Sequence, residues 1–137
     1  SKLPGGRCLT LVGTEGTARY LRQMLPALGL GGVVTFDGAV ADMPAWYADK
    51  GVLLSTSMYE SFGMNIGEAM AVGAFPVVHA FPGADRIWPE ECLFASIEDA
   101  VALIRSGRPA LYRGWVADRY GLDRQATAIL GVLDGLP

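Results

Sequence analysis

Apolar residues fall along this chain in short blocks, at Cys8 to Val12, Val33 to Phe36, Val52 to Ser55, Phe75 to His79 and Cys92 to Ala95. Each block has four or five residues. That is too short for a helix, and the largely non-alternating pattern is how a strand covered on both faces reads. Between the blocks, apolar positions recur at helical spacing. Ala18, Leu21, Leu25 and Leu28 make one stripe, closed by Gly29, Gly31 and Gly32 as a helix stop. Asp42 is placed to cap a short helix running through Trp46 and Tyr47, with Pro44 tolerated in its first turn. Ser96 caps another, with Glu98 and Asp99 in the first turn and Ile97, Ala100, Val101 and Ile104 as the inward stripe. A break at Ser106 to Pro109 opens a helix around Tyr112, Trp115 and Val116, and Asp123 after Gly121 opens a last one with Ala126, Ile129, Leu130 and Leu133. Strands separated by helix-length connections call for parallel pairing with right-handed crossovers. The expected fold is therefore α/β, a doubly wound Rossmann-like parallel sheet with helices on both faces.

Composition narrows the partners. The 137 residues, the length of one domain, carry 11 Lys plus Arg against 14 Asp plus Glu, a formal charge of −3. Scattered arginines and a mild negative charge form no basic face, which argues against nucleic acid. Charged residues are 18% and hydrophobic ones 51%, an apolar chain for its size. The most apolar stretch, Met64 to Ala84, is interrupted by Glu68, His79 and two prolines, so no membrane span is expected. The first six residues lack the apolar block of a signal peptide, and Cys8 and Cys92 have no metal or redox spacing. These features predict a cytoplasmic protein with two free thiols. The 18 glycines fall between the apolar runs and suit tight strand-to-helix turns.

In an open parallel sheet, ligands collect outside the carboxyl ends of the strands. After Val52 to Ser55 the chain runs through Glu60, Ser61, Phe62 and Gly63 into a helix beginning near Met64 and Asn65. First-turn amides have no intrahelical partner and sit at the positive end of the helix dipole, so they suit a diphosphate without any lysine. From Met64 to Val72 only Asn65 and Glu68 are polar, which reads as a buried helix. Glu68 then needs hydrogen-bond donors, and the two hydroxyls of a ribose would serve. Other readings stand beside these. Asn65 and Glu68 have capping-box spacing and would satisfy each other with no ligand. Glu60 suits a solvated loop equally well. Gly13-Thr14-Glu15-Gly16 is an ordinary turn rather than a dinucleotide fingerprint. His79, the single histidine, closes a strand facing the cleft, where a packed residue is the simpler reading than a base. Trp46, Trp88 and Trp115 read as core or interface aromatics.

The run Glu60-Ser61-Phe62-Gly63-Met64-Asn65-Ile66-Gly67-Glu68-Ala69-Met70-Ala71-Val72-Gly73, followed by Phe75-Pro76-Val77-Val78, resembles the donor-binding signature of retaining GT-B glycosyltransferases of the family 4 type. Leu11-Val12-Gly13, Val34 to Gly38 and Phe81-Pro82-Gly83-Ala84 are similar to the same domain, so the resemblance covers nearly the whole chain. It implies a nucleotide-diphosphate sugar as the donor substrate, no cofactor and no metal. Glu68 would meet the ribose hydroxyls, the amides of Gly63, Met64 and Asn65 the diphosphate, and Glu60, as the catalytic residue, the transferred sugar. Ser61 and Phe62 belong to the same donor-binding loop, Gly13 borders the phosphates, and the backbone of Gly38 to Val40 meets the base. The reaction implied is sugar transfer to an acceptor with retention of configuration. A non-catalytic nucleotide-sugar module and an epimerase of the same architecture are the alternatives.

The resemblance also sets expectations about completeness. The family's donor domain opens with a strand and a loop bearing a basic pair, and Ser1 to Gly6 is too short for that unit, so Lys2 is not matched to it. The expectation is the C-terminal half of a GT-B fold without its first βα unit, one domain over residues 1–137, belonging to a larger enzyme with a separate N-terminal acceptor domain. The full enzyme would be cytoplasmic or peripheral to the membrane. The absent strand would leave a gap between Cys8 to Val12 and Val52 to Ser55, closed by strand rearrangement, exchange with another copy or a partner chain. The last helix, Arg124 to Leu133, would expose an apolar stripe open to self-association.

Overall fold

Phe75-Pro76-Val77-Val78 is buried along its whole length, and the strand it forms is the axis of the larger part of the fold. The computed structural model describes residues 9–13, 15–107 and 112–136. Cys8, Lys2 and the predicted break at Arg108 and Pro109 lie outside the described residues. The elements alternate as β1 (Leu9–Val12), α1 (Glu15–Ala27), β2 (Val34–Gly38), α2 (Met43–Tyr47), β3 (Val52–Ser55), α3 (Met64–Val72), β4 (Phe75–His79), α4 (Ala84–Ile87), β5 (Leu93–Phe94), α5 (Ile97–Ser106), α6 (Tyr112–Tyr120) and α7 (Leu122–Asp134). A single 3-10 turn, Glu90–Cys92, leads into β5. Every described strand pair is parallel, and the architecture is α/β as expected.

The chain folds as two compact units, Ser1–Met43 and Pro44–Pro137. In the first, β1 lies beside β2 with Leu9, Thr10 and Leu11 opposite Val34, Thr35 and Phe36, then a slip sets Val12 opposite Gly38. Thr35 Oγ1 donates to Thr10 Oγ1 across the pair at 3.1 Å. The Arg22 guanidinium of α1 lies 4.4 Å from the Phe36 ring centre. α1 ends in the turn expected of its glycines, where Leu30 N donates to Leu25 O at 2.8 Å, the long closing bond of a Schellman-type stop. β2 departs from the expectation of a strand covered on both faces. Thr35 and Asp37 are exposed while Val34 and Phe36 are half-buried, the alternation of a one-sided strand.

In the second unit the strand order is β3-β4-β5. β4 is central and pairs with β3 from Val52 opposite Phe75 to Ser55 opposite Val78. Ile66 and Met70 of α3, Phe75, Val77 and Val78 of β4, Trp88, Cys92 and Phe94 build the core. Burial of each such large side chain is worth roughly 1.5–3 kcal/mol. α6 closes one side, with Tyr112 packed on Phe75 at 5.9 Å and Val116 buried. α5 starts with a full capping box, in which Ser96 Oγ accepts from Asp99 N and the Asp99 carboxylate accepts from Ser96 N. Its buried side is narrower than the predicted stripe: Ala100 is buried and Leu103 and Ile104 half-buried, while Ile97 and Val101 are exposed. α7 begins at Leu122 with Gly121 as its cap, a residue earlier than the Asp123 signal suggests. None of its residues is buried.

Candidate functional site

The loop between β3 and α3 begins at the carboxyl end of β3, where Ser55 is buried. Two hydrogen bonds, one ring packing and one backbone turn then fix its course. Ser57 Oγ donates to Glu60 Oε1 at 2.8 Å. His79, at the carboxyl end of neighbouring β4, holds the Ser57 carbonyl with Nδ1 at 3.3 Å. The Phe62 ring turns into the fold, 5.2 Å from Trp88 and 4.9 Å edge-on from Tyr120. Gly63 then takes φ 84 and ψ 61, and the helix starts at the next residue.

That start decides between two readings of Asn65 and Glu68. Gly63 is the N-cap and no side chain caps the helix, so Asn65 already lies inside the first turn and the predicted capping-box alternative is corrected. Ile66 N reaches Gly63 O at 2.9 Å, while the amides of Met64 and Asn65 precede any intrahelical acceptor and point out of the helix end. Both residues are exposed at the surface, as is Ser61.

Glu68 does not have the burial its neighbours predict. α3 buries Ile66, Ala69 and Met70 and exposes Met64, Asn65, Glu68 and Ala71. A helix apolar but for Asn65 and Glu68 therefore presents one face outward, and Glu68 is an exposed carboxylate rather than the buried, unpaired one expected. Met64 and Ala71, apolar yet exposed, make this surface face look like a core one in sequence. Glu68 nonetheless lines a hollow. A groove of about 400 Å³ runs between α3 and α6, walled by Met64, Glu68, Ala71, Arg113, Val116 and Tyr120 and closed by Gln125. Arg113 is fixed there by a 2.8 Å bond to the Val72 carbonyl. The Glu68 charge is felt on its other side by Tyr47, whose phenol is pushed above its usual range chiefly by burial and secondarily by that carboxylate.

The motif residues Glu60, Ser61, Phe62, Gly63, Met64, Asn65 and Glu68 thus sit on one loop and the helix it feeds. Phe62 is an anchor of the loop in the aromatic cluster rather than a group presented at the surface. In the other compact unit, Gly13 and Gly38 lie side by side at the carboxyl ends of β1 and β2, with Gly13 N donating to Gly38 O at 2.9 Å. The Gly13 amide is thereby used, and what it offers outward is the bare α-carbon. Val40 follows β2 and is half-buried. Ser57, Arg113 and Gln125 escaped the sequence reading, the last two because nothing in their local pattern points to α3. Among the described residues no cluster of metal-ligating side chains occurs, and no helix is long and apolar enough to cross a membrane.

No curated protein matches the chain. Solved structures do. The chain is similar to HepE (Alr3699) from Anabaena in complex with UDP, at 24% identity over 97% of this chain and 42% of that one, with a TM-score of 0.83. The same protein in complex with UDP and glucose aligns at 23% identity over 94% and 41%, with a TM-score of 0.79. TarM aligns at 20% identity over 83% of this chain and 24% of its own, with a TM-score of 0.63. At these identities the likeness is one of fold, that of a GT-B Rossmann-like domain, and the chain spans about two-fifths of the length of HepE. In sequence, the model of the family described as glycosyl transferases group 1 matches residues 5–107, a span containing the whole Glu60 to Gly73 motif, and this protein belongs to that family.

Proposed function

We propose that this chain is the donor-binding part of a glycosyltransferase that moves a sugar from a nucleotide-diphosphate sugar to an acceptor with retention of configuration. The observation that carries the reading is the uncapped start of α3 at a left-handed Gly63, with Glu60 just ahead of it and Glu68 one turn inside it on the outward face. Two exposed amides at the positive end of a helix attract a diphosphate and stabilise the charge that grows on it as the sugar leaves. Glu68 meets the ribose hydroxyls from the rim of the groove. Glu60 holds the transferred sugar and favours its cationic transition state. Gly13, Gly38 and Val40 take the parts that the family pattern gives them, toward phosphates and base. The donor is a substrate, and the reading assigns no cofactor or metal to the chain. We place the enzyme in the cytoplasm.

HepE binds UDP in the aligned structure, which makes UDP the first nucleotide to test. Because more than half of the HepE chain has no counterpart here, we assign acceptor binding to a further domain, and that domain is the occupant we propose for the open face of α7. Calorimetric titration with UDP, GDP and ADP tests the donor reading. One nucleotide is expected to bind, and Glu68→Ala to weaken it by about tenfold or more, the loss of a charged hydrogen-bond acceptor. Binding indifferent to Glu68→Ala contradicts the ribose role. In the complete enzyme, unchanged transfer by Glu60→Gln would defeat the catalytic role of Glu60, binding of the donor without any transfer by the wild type would leave a non-catalytic module, and turnover of donor without acceptor would indicate an epimerase.

A further inference from the structure

We infer that His79 is a positioning residue for Glu60, acting through Ser57; the inference rests on Glu60 meeting the donor sugar. Ser57 is held at both ends. Its carbonyl is bound by His79 Nδ1 at 3.3 Å and its hydroxyl donates to Glu60 Oε1 at 2.8 Å. A carbonyl can only accept, so Nδ1 carries the proton and, in the neutral ring, Nε2 carries the lone pair. The ring is itself oriented. Phe94 of β5 meets it edge-on at 5.5 Å, and β4 delivers it directly beside β3, whose loop it restrains.

The consequence reaches Glu60. All three residues are half-buried, so the links are partly shielded from water and stronger than their surface counterparts. Ser57 and Glu60 are three residues apart, and the bond between them closes the loop that precedes Gly63. With Oε1 taken by Ser57, Oε2 is the oxygen left for a sugar hydroxyl. The single histidine therefore has a task other than proton transfer. It fixes a peptide group, which fixes a hydroxyl, which aims a carboxylate.

The test uses the chain itself, with UDP and UDP-glucose as probes. If His79 aims Glu60, His79→Leu and Ser57→Ala lower the ratio of UDP-glucose to UDP affinity about tenfold, as for a lost charge-assisted contact. UDP binding alone stays unchanged. His79→Asn, whose amide can donate from nearly the position of Nδ1, keeps the ratio within about twofold of wild type. An unchanged ratio in His79→Leu, or a loss in His79→Asn equal to that in His79→Leu, overturns the inference. Long-range nitrogen–proton NMR of the imidazole supplies a reading independent of nucleotide. A proton on Nδ1 of neutral His79 is expected, and a proton found only on Nε2 refutes the arrangement even if UDP binds. If the wild-type chain binds neither probe, the donor reading fails and the NMR result still decides the placement of His79.

Discussion

Gly63 and Gly67 stand four residues apart around the first turn of α3 and have opposite tolerances. At Gly63 a Cβ would lie 2.7 Å from Ile66 Cδ1 in a left-handed backbone of φ 84, and Ile66 is fully buried. An L-residue pays roughly 1–2 kcal/mol for that backbone alone, so Gly63→Ala is expected to cost about 2–3 kcal/mol in urea unfolding. It should also abolish nucleotide binding by reorienting the Met64 and Asn65 amides. At Gly67 the nearest atom is Trp88 Cη2 at 3.5 Å, an ordinary contact, and an alanine in the helix interior gains up to about 1 kcal/mol over glycine. Gly67→Ala is expected to stabilise; destabilisation by it would mean that α3 packs more tightly on Trp88 than the contact implies. Cys92 provides a prediction in pH. Burial pushes its thiol up to about 11, against a weaker downward pull from Tyr112, and the Glu91 charge adds a small upward push. The folded thiol stays protonated where the unfolded one ionises, so this contribution to stability is intact below about pH 8.5 and is lost as the pH climbs toward 11. The loss approaches about 3 kcal/mol. Urea midpoints measured across that window should fall less in Cys92→Ala than in wild type, and parallel curves for the two would refute the assignment.

At the scale of elements, the strands and the longer helices were legible because their signals are local. Five apolar blocks gave five strands, and Ser96 with its acidic first turn gave the start of α5 to the residue. What escaped depended on neighbours. α4 and the 3-10 turn beside it have four and three residues, below the length at which a period can be read. The outward face of α3 was hidden because Met64 and Ala71 are apolar yet exposed, and only the partner helices decide which side of an apolar helix is covered. The motif loop shows both sides of this. Gly63 as a helix start could be read from sequence, since a glycine before a helical run suits a left-handed turn. The link from His79 to Ser57 spans 22 positions and exists only because β4 lies beside β3.

At the scale of the whole molecule, α7 sets the clearest expectation. Leu122, Ala126, Ile129 and Leu133 follow one another at spacings of four, three and four, the repeat of a helix seam built to meet another helix. Yet Leu122 is 79% exposed, Ile129 60% and Leu133 55%. Apolar side chains arranged in a continuous row mark an interaction surface more surely than scattered ones do. If a further domain is what normally covers this row, the chain by itself should cover it with a second copy. Sedimentation velocity is expected to show a monomer at low concentration shifting to a dimer as concentration rises. Replacing Ile129 and Leu133 together by glutamate should hold the chain monomeric, since two carboxylates would then be buried in the seam without partners. Both positions are exposed, so the folded chain should keep its unfolding midpoint at low concentration, within about 0.5 kcal/mol. A wild-type chain that stays strictly monomeric would remove self-association. A double variant that still dimerises would move the contact away from α7, and the acceptor domain would then have to be sought on another face.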